Sequence, residues 1–212
     1  MTRLTQLLPM RLALVVISLR EEAATATAVE MWAETDEDHN KPLLGMPSES
    51  DWVFYAPNSF EPVLIHNPFA HALSREIGRY SPRTRFAEVY VNTTSTPLSS
   101  GHYMGIYAIE EKVKRSPNRV DIDRLEPEHT APPAVTGGYL IKIDRSDPDE
   151  RTFGAAAQGL VYQDPSGPEI QDQPQRQPQE GFLSNFLNTF YNKLYAADWT
   201  NAVTGYAAYL DV

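Results

Sequence analysis

A cluster of charged residues follows the apolar run 106–109, and its chemistry suits an anionic ligand. The acids Glu110 and Glu111 come first. Four bases follow closely: Lys112, Lys114, Arg115 and Arg119. Lysine and arginine side chains bind phosphate through charge-assisted hydrogen bonds, which would place a phosphate-binding cleft where this run ends. The same pattern fits a solvated surface turn, in which each ion pair contributes at most ~1 kcal/mol. The residues alone leave both interpretations open.

A second basic residue with possible chemistry is Lys142 in the segment LIKID. Because side chains alternate along a strand, Lys142 and Asp144 lie on the face opposite to Ile141 and Ile143. Lys142 therefore either faces water, with Asp144 within reach, or contributes to a binding site. The pattern does not choose between these two alternatives.

Other catalytic chemistries have no signal in the chain. It contains no cysteine, which excludes thiolate nucleophiles and disulfides. The five histidines lack the spacing of metal ligands. The nucleophile elbow, the phosphate-binding P-loop, the dinucleotide fingerprint and the ordinary protein-kinase signatures are also missing from the sequence. We therefore assign no catalytic residue and no metal ligand from the sequence.

Composition limits the partners and the class of protein. The chain has 212 residues, a formal net charge of −10 and a pI of about 4.9, which argues against nucleic-acid binding. Hydrophobic residues make up 42% of the chain, enough for a real core. No apolar run approaches the ~20 residues that a membrane-spanning helix needs.

The elements that would position these charges are short. Apolar and alternating patterns predict strands at 12–19, 24–32, 52–55, 85–93, 103–109 and 137–144. Arg3 and Arg11 before the run at 12–19, with ATA at 26–28, also fit a signal peptide. We favour a buried strand or a non-native leader over that alternative.

Two helices complete the prediction. The first covers 67–78, with Asn67 as its N-cap, Gly78 at its end, and Phe69, Leu73 and Ile77 four residues apart on one face. The second covers 182–197, and the polar stretch 163–180 before it predicts a mobile loop. This order indicates an α+β fold, in which helix 67–78 packs on one antiparallel sheet that contains 85–109 and 137–144.

Four blocks in this order resemble one known family. They are LLGMPSESDWVFYAP, HNPFAHALSREIGRYSPRTRFAEVYVN, YMGIYAIEEKVKRSPNRVDI and GGYLIKID. Together they resemble the N-terminal half of the spore coat protein H (CotH) kinase-like family, over about residues 36–212. Members of this family occur in spore coats and on cell surfaces.

The resemblance implies the N-terminal lobe of an atypical protein-kinase-like fold, which uses ATP and a divalent metal such as Mg²⁺ to phosphorylate serines on protein substrates. It also implies that Glu111 and Lys142 lie in the nucleotide cleft, with Lys112 as a further candidate. A kinase needs a base near the phosphates and a carboxylate that orients it. The rival interpretation is a non-catalytic coat, surface or adhesion module that binds proteins with the same fold.

The resemblance also predicts a division of the chain. Residues 1–35 would be an atypical leader, and 36–162 the nucleotide-side lobe of a CotH-type domain. Residues 163–180 would be the mobile loop, and 181–212 a helix and the start of a second lobe. We expect the catalytic aspartates in a following half, so that these residues alone would form an inactive, truncated part.

Overall fold

The computed structural model describes residues 13–18, 40–56, 61–92, 96–148 and 150–210. The chain divides into two compact units, 1–113 and 114–212. Both combine helices with a small antiparallel sheet, which confirms the α+β class. None of the helices within the described ranges is long and apolar enough to cross a lipid bilayer. The domain boundaries proposed above stay predictions.

The first unit contains a four-stranded antiparallel sheet in the order β1-β3-β4-β2. The strands are β1 (Ala13–Ser18), β2 (Trp52–Tyr55), β3 (Thr84–Asn92) and β4 (Tyr103–Glu111). The predicted strands at 12–19, 52–55, 85–93 and 103–109 are therefore confirmed. β3 and β4 pair as the expected hairpin, with Phe86 opposite Ala108. The predicted strand at 24–32 lies outside the described residues.

One face of this sheet carries the core of the first unit. Ala87, Val89 and Ile109 are buried on it, and Leu43 and Met46 cover them from the segment before β2. That segment turns at Gly45, whose φ of +74° is a conformation that favours glycine. The apolar residues of LLGM thus close the core over β3 and β4.

Helix α1 (His66–Glu76) forms where the apolar spacing predicts it, but its packing differs. Phe69, Leu73 and Ile77 are 68%, 54% and 71% exposed, so the prediction that they pack on the sheet is wrong. Asn67 is not the N-cap either, because the helix starts after Ile65 without a side-chain cap. Gly78 follows the helix with a φ of +82°, as expected for its stop.

Polar contacts explain why α1 faces this way. His71 Nδ1 lies 2.7 Å from Ser81 Oγ, and Arg75 donates to the backbone carbonyls of Ser81 and Pro82. The helix is thus held by its polar side against the segment that enters β3. The periodicity identified the helix but not the side that packs, because both sides carry groups that can form contacts.

The second unit has its own three-stranded sheet in the order β5-β7-β6. Its strands are β5 (Leu140–Lys142), β6 (Thr152–Ala155) and β7 (Gln158–Asp164). β5 pairs with β7, so the prediction that 137–144 joins the sheet of 85–109 is wrong. β6 and β7 form a hairpin, and β5 pairs with the other edge of β7. Sequence patterns miss this hairpin because Ala156 and Ala157 form its turn, with φ near +55°, in place of the usual Asn-Gly.

The segment 163–180 is folded, so the prediction of a loop is wrong. It contains the end of β7, α2 (Gly167–Gln171) and the start of α3 (Gln177–Leu194). Ser166 caps α2 through a capping box with Glu169. α3 confirms the helix predicted at 182–197, with an earlier start. Phe153 and Tyr162 stack at 4.2 Å in the core of this unit. The same buried cluster also contains Ala155, Leu160, Ile170 and Leu183.

Candidate functional site

Lys142 ends strand β5 and carries a defined ion pair. Its Nζ lies 2.7 Å from Glu150 Oε1 and 3.8 Å from Asp144 Oδ2. The Lys142 side chain is 27% exposed and that of Glu150 is 22% exposed. Lys142 is thus partly exposed and ion-paired, and its role in a binding site stays a prediction. The expected contact with Asp144 is present, but the shorter contact is to Glu150.

The carboxylate of Glu150 is held in place by the backbone. Its Oε2 accepts a hydrogen bond from the Asp147 N–H at 2.9 Å, while the Glu150 N–H donates to the Asp147 carbonyl at 3.0 Å. The turn therefore fixes the carboxylate whose Oε1 faces Lys142. Sequence reasoning missed Glu150, because the acidic run that follows LIKID gives no signal for which of its acids folds back onto the strand.

Glu111 has a different environment in the first unit. Its side chain is fully buried, and both carboxylate oxygens accept from Arg83: Oε1 from Nη1 at 2.7 Å and Oε2 from the backbone N–H at 2.9 Å. This pair joins the end of β4 to the residue that enters β3. Lys112, the next residue, is half-buried. Glu111 and Lys142 belong to different units, and a cleft shared by them stays a prediction.

The bases that follow Lys112 are not a uniformly exposed cluster. Arg115 Nε forms an ion pair with Asp164 Oδ2 at 2.9 Å, and Arg119 is only 4% exposed. The Arg119 N–H donates to the Ser116 carbonyl at 2.9 Å, which closes a turn within this run. Arg115 and Arg119 therefore have structural contacts of their own, which a fully solvated turn does not describe, and the cleft stays a prediction.

Lys142 could contact an anion, and a nucleotide phosphate at this position stays a prediction. An ammonium group that is partly exposed and oriented by a fixed carboxylate is the kind of donor that meets phosphate oxygens in phosphoryl-transfer proteins. In the described parts of the chain, no group of three or more histidine, aspartate or glutamate side chains could hold a metal ion. We therefore name no residue as a metal ligand.

Comparison with known proteins identifies one family. A family model described as CotH kinase protein matches residues 20–212. The match begins before residue 36, where sequence analysis placed the start of the resemblance. A search of curated proteins and a search of solved structures found no match, so the likeness to a kinase lobe stays a prediction. A match over most of the chain is sufficient to conclude that the protein belongs to the CotH kinase protein family.

Proposed function

We propose that this chain provides the nucleotide-binding part of a CotH-type kinase, which transfers phosphate from ATP to serines of protein substrates. The observation that carries the proposal is the 2.7 Å ion pair between Lys142 and Glu150. Membership of the CotH kinase protein family supports the choice of reaction.

The chemistry of phosphoryl transfer explains why a single lysine is central to the proposal. Phosphoryl transfer depends on positioning and on neutralisation of charge at the phosphates, with little covalent chemistry from the protein. Lys142 would hold ATP by its phosphates, and Glu150, fixed by the Asp147 N–H, would keep the ammonium group oriented. Glu111 and Lys112 of the first unit remain candidates for contact with the nucleotide. A bound Mg²⁺ would supply further neutralisation of the phosphate charge.

The test is phosphate transfer by the protein produced from its complete reading frame. The protein is incubated with Mg²⁺ and γ-labelled ATP, and phosphoserine is measured on the protein itself and on an added acidic protein. Lys142→Ala should lower transfer by at least about tenfold, the factor that corresponds to one lost charged hydrogen bond. Lys193→Ala is the matched control, since Lys193 is another partly exposed, ion-paired lysine of the second unit. Equal activity in the wild type and Lys142→Ala would reject the role of Lys142.

A second candidate function is a non-catalytic protein-binding module. The observation that favours it is the exposed apolar face of α1, formed by Phe69, Leu73 and Ile77. Exposed apolar surface of this kind is typical of protein contacts. In the assay above, absence of transfer from the complete protein, in the presence of Mg²⁺ and ATP, would favour this second function over the kinase.

A further inference from the structure

Glu110 is a buried acid that the proposed function does not use. It precedes Glu111 on β4, so strand alternation directs its side chain to the opposite face of the sheet. There it lies between two strands, opposite Val53 of β2 and Thr84 of β3. Only 7% of the residue is exposed.

A second buried acid, Glu61, lies near this position with a complete set of partners. It is 4% exposed. The Tyr55 hydroxyl donates to its Oε2 at 3.2 Å, and the backbone N–H of His66 donates to its Oε1. His66 Nδ1 also lies 3.1 Å from Oε1. Glu61 therefore ties the first residue of α1 to the edge strand β2.

One oxygen of the Glu110 carboxyl lacks such a partner. Its Oε1 is the one buried side-chain nitrogen or oxygen without a hydrogen bond in the part of the chain that the structure describes. An ionised carboxylate in this position would be desolvated and uncompensated, which is costly, whereas the neutral acid avoids most of the cost. Burial, and secondarily the negative charge of Glu61, raise the pKa of Glu110 to about 7 from an ordinary value of 4.5.

The groups around Glu110 reinforce its neutral form. From β2, Tyr55 faces the same side of the sheet as Glu110; Glu61 comes from the segment before α1, and its partner His66 is the first residue of α1. From β3 the residue opposite is the uncharged Thr84, while the neighbouring Arg83 pairs with Glu111. Residues 57–60 carry no ionisable side chain. Glu61 is thus the negative charge that acts on Glu110.

We propose that Glu110 is a proton-operated latch for the start of helix α1. While Glu110 is protonated, Glu61 stays against the β2–β4 edge and holds Tyr55 and His66 together. When Glu110 loses its proton, its carboxylate and that of Glu61 repel each other across a buried space. The 61–66 segment then loosens from the sheet, and α1 with its exposed apolar face loses its attachment at that end.

The direction of the pH effect follows from linkage. An acid whose pKa is higher in the folded state binds its proton more tightly there, so folding is favoured at low pH. This stabilisation is complete below the unfolded value of 4.5 and is lost as the pH rises through about 7. The folding equilibrium constant should fall by roughly 100-fold or more over this window on account of Glu110.

The test compares Glu110→Gln with the wild type by urea unfolding at about pH 5 and about pH 8. Glutamine keeps the shape of the protonated acid but has no proton to lose. The urea midpoint of the wild type should be lower at about pH 8 than at about pH 5. The urea midpoint of Glu110→Gln should not decrease between these pH values. Glu76→Gln, at an exposed glutamate of α1, is the control and should behave as the wild type. An equal fall in Glu110→Gln and the wild type would overturn the proposal.

A local measurement separates the latch from general stability. At about pH 8, amide hydrogen exchange across 61–76 should be faster in the wild type than in Glu110→Gln, while at about pH 5 the two should agree. If Glu110→Gln does not fold, infrared spectroscopy of the wild type at about pH 6 tests whether Glu110 is protonated. A persistent carboxylic-acid C=O band supports the latch, and its absence overturns it.

Discussion

Two adjacent glutamates at the end of β4 have opposite roles because the strand sends their side chains to opposite faces. Glu111 is paired, because both its oxygens accept hydrogen bonds from Arg83. Glu110 lies on the other face, with one oxygen that has no hydrogen bond. The pair shows that a run of like residues in a sequence need not form one site.

Removal of the Glu111 carboxylate should cost stability. Glu111→Ala removes both hydrogen bonds that Arg83 donates, and it opens space at a fully buried position. We expect the free energy of unfolding to fall by about 2–4 kcal/mol. This loss is somewhat smaller than the loss expected for a completely buried ion pair, because Arg83 is partly exposed. Urea unfolding measures it. Glu76→Ala, at an exposed position, should change the free energy by no more than about 0.5 kcal/mol; an equally small change in Glu111→Ala would contradict the structural role.

At the residue scale, sequence reasoning singled out Lys142 but not Glu150, its nearest ion-pair partner. Lys142 could be singled out because a charged residue interrupts an apolar strand. Glu150 could not, because its contact depends on how the turn at Asp147 folds back, and no periodicity encodes that. Arg83 was also missed, since its contact with Glu111 joins residues that are far apart in the sequence.

Among the elements, the beginning of α3 is held by an unusual polar core. Arg176 and Gln179 are 2% and 0% exposed, although both are polar. Arg176 Nη1 donates to the Leu125 carbonyl at 3.0 Å and to Gln179 Oε1 at 2.9 Å. Gln179 Nε2 donates to the carbonyls of Glu126 and His129 at 2.7 and 3.0 Å. The two side chains thus fasten the segment 125–129 to the helix.

Loss of this contact should destabilise the second unit. Arg176→Ala leaves the Leu125 carbonyl and the Gln179 side chain with buried hydrogen-bonding groups unsatisfied, which we expect to cost about 3 kcal/mol or more. Thermal unfolding followed by circular dichroism measures the effect. Arg151→Ala is the control, because Arg151 is exposed and its contact with Asp172 is long at 3.5 Å. A melting temperature that falls equally little in both variants would show that the buried network contributes no stability.

The elements also show where composition misleads. The segment 163–180 has few apolar residues, and low hydrophobicity normally predicts a loop. Here Gln179 and Arg176 are buried and form hydrogen bonds. Ile170 is the residue of this segment that belongs to the buried apolar cluster of the second unit. Helix α1 gives the reverse case: its apolar spacing is clear, yet His71 and Arg75 face the protein. Periodicity therefore predicts elements better than it predicts their packing.

For the whole molecule, the α+β class and the order of most elements follow from the sequence. The division of the strands between two sheets does not, because the Ala156–Ala157 turn gives no hairpin signal and β5 is a strand of only three residues. Family membership was accessible from the four ordered blocks. The central claim is the one that joins fold to function: Lys142 binds the phosphates of ATP.

Equilibrium binding of ATP and of adenosine, in the presence of Mg²⁺, tests this claim most directly. Isothermal titration of the 212-residue protein should show a preference for ATP, because only ATP offers phosphates to Lys142. In Lys142→Ala the affinity for ATP should fall by at least about tenfold while adenosine binds as before, and Lys193→Ala should match the wild type. Unchanged ATP affinity in a folded Lys142→Ala protein would contradict the account.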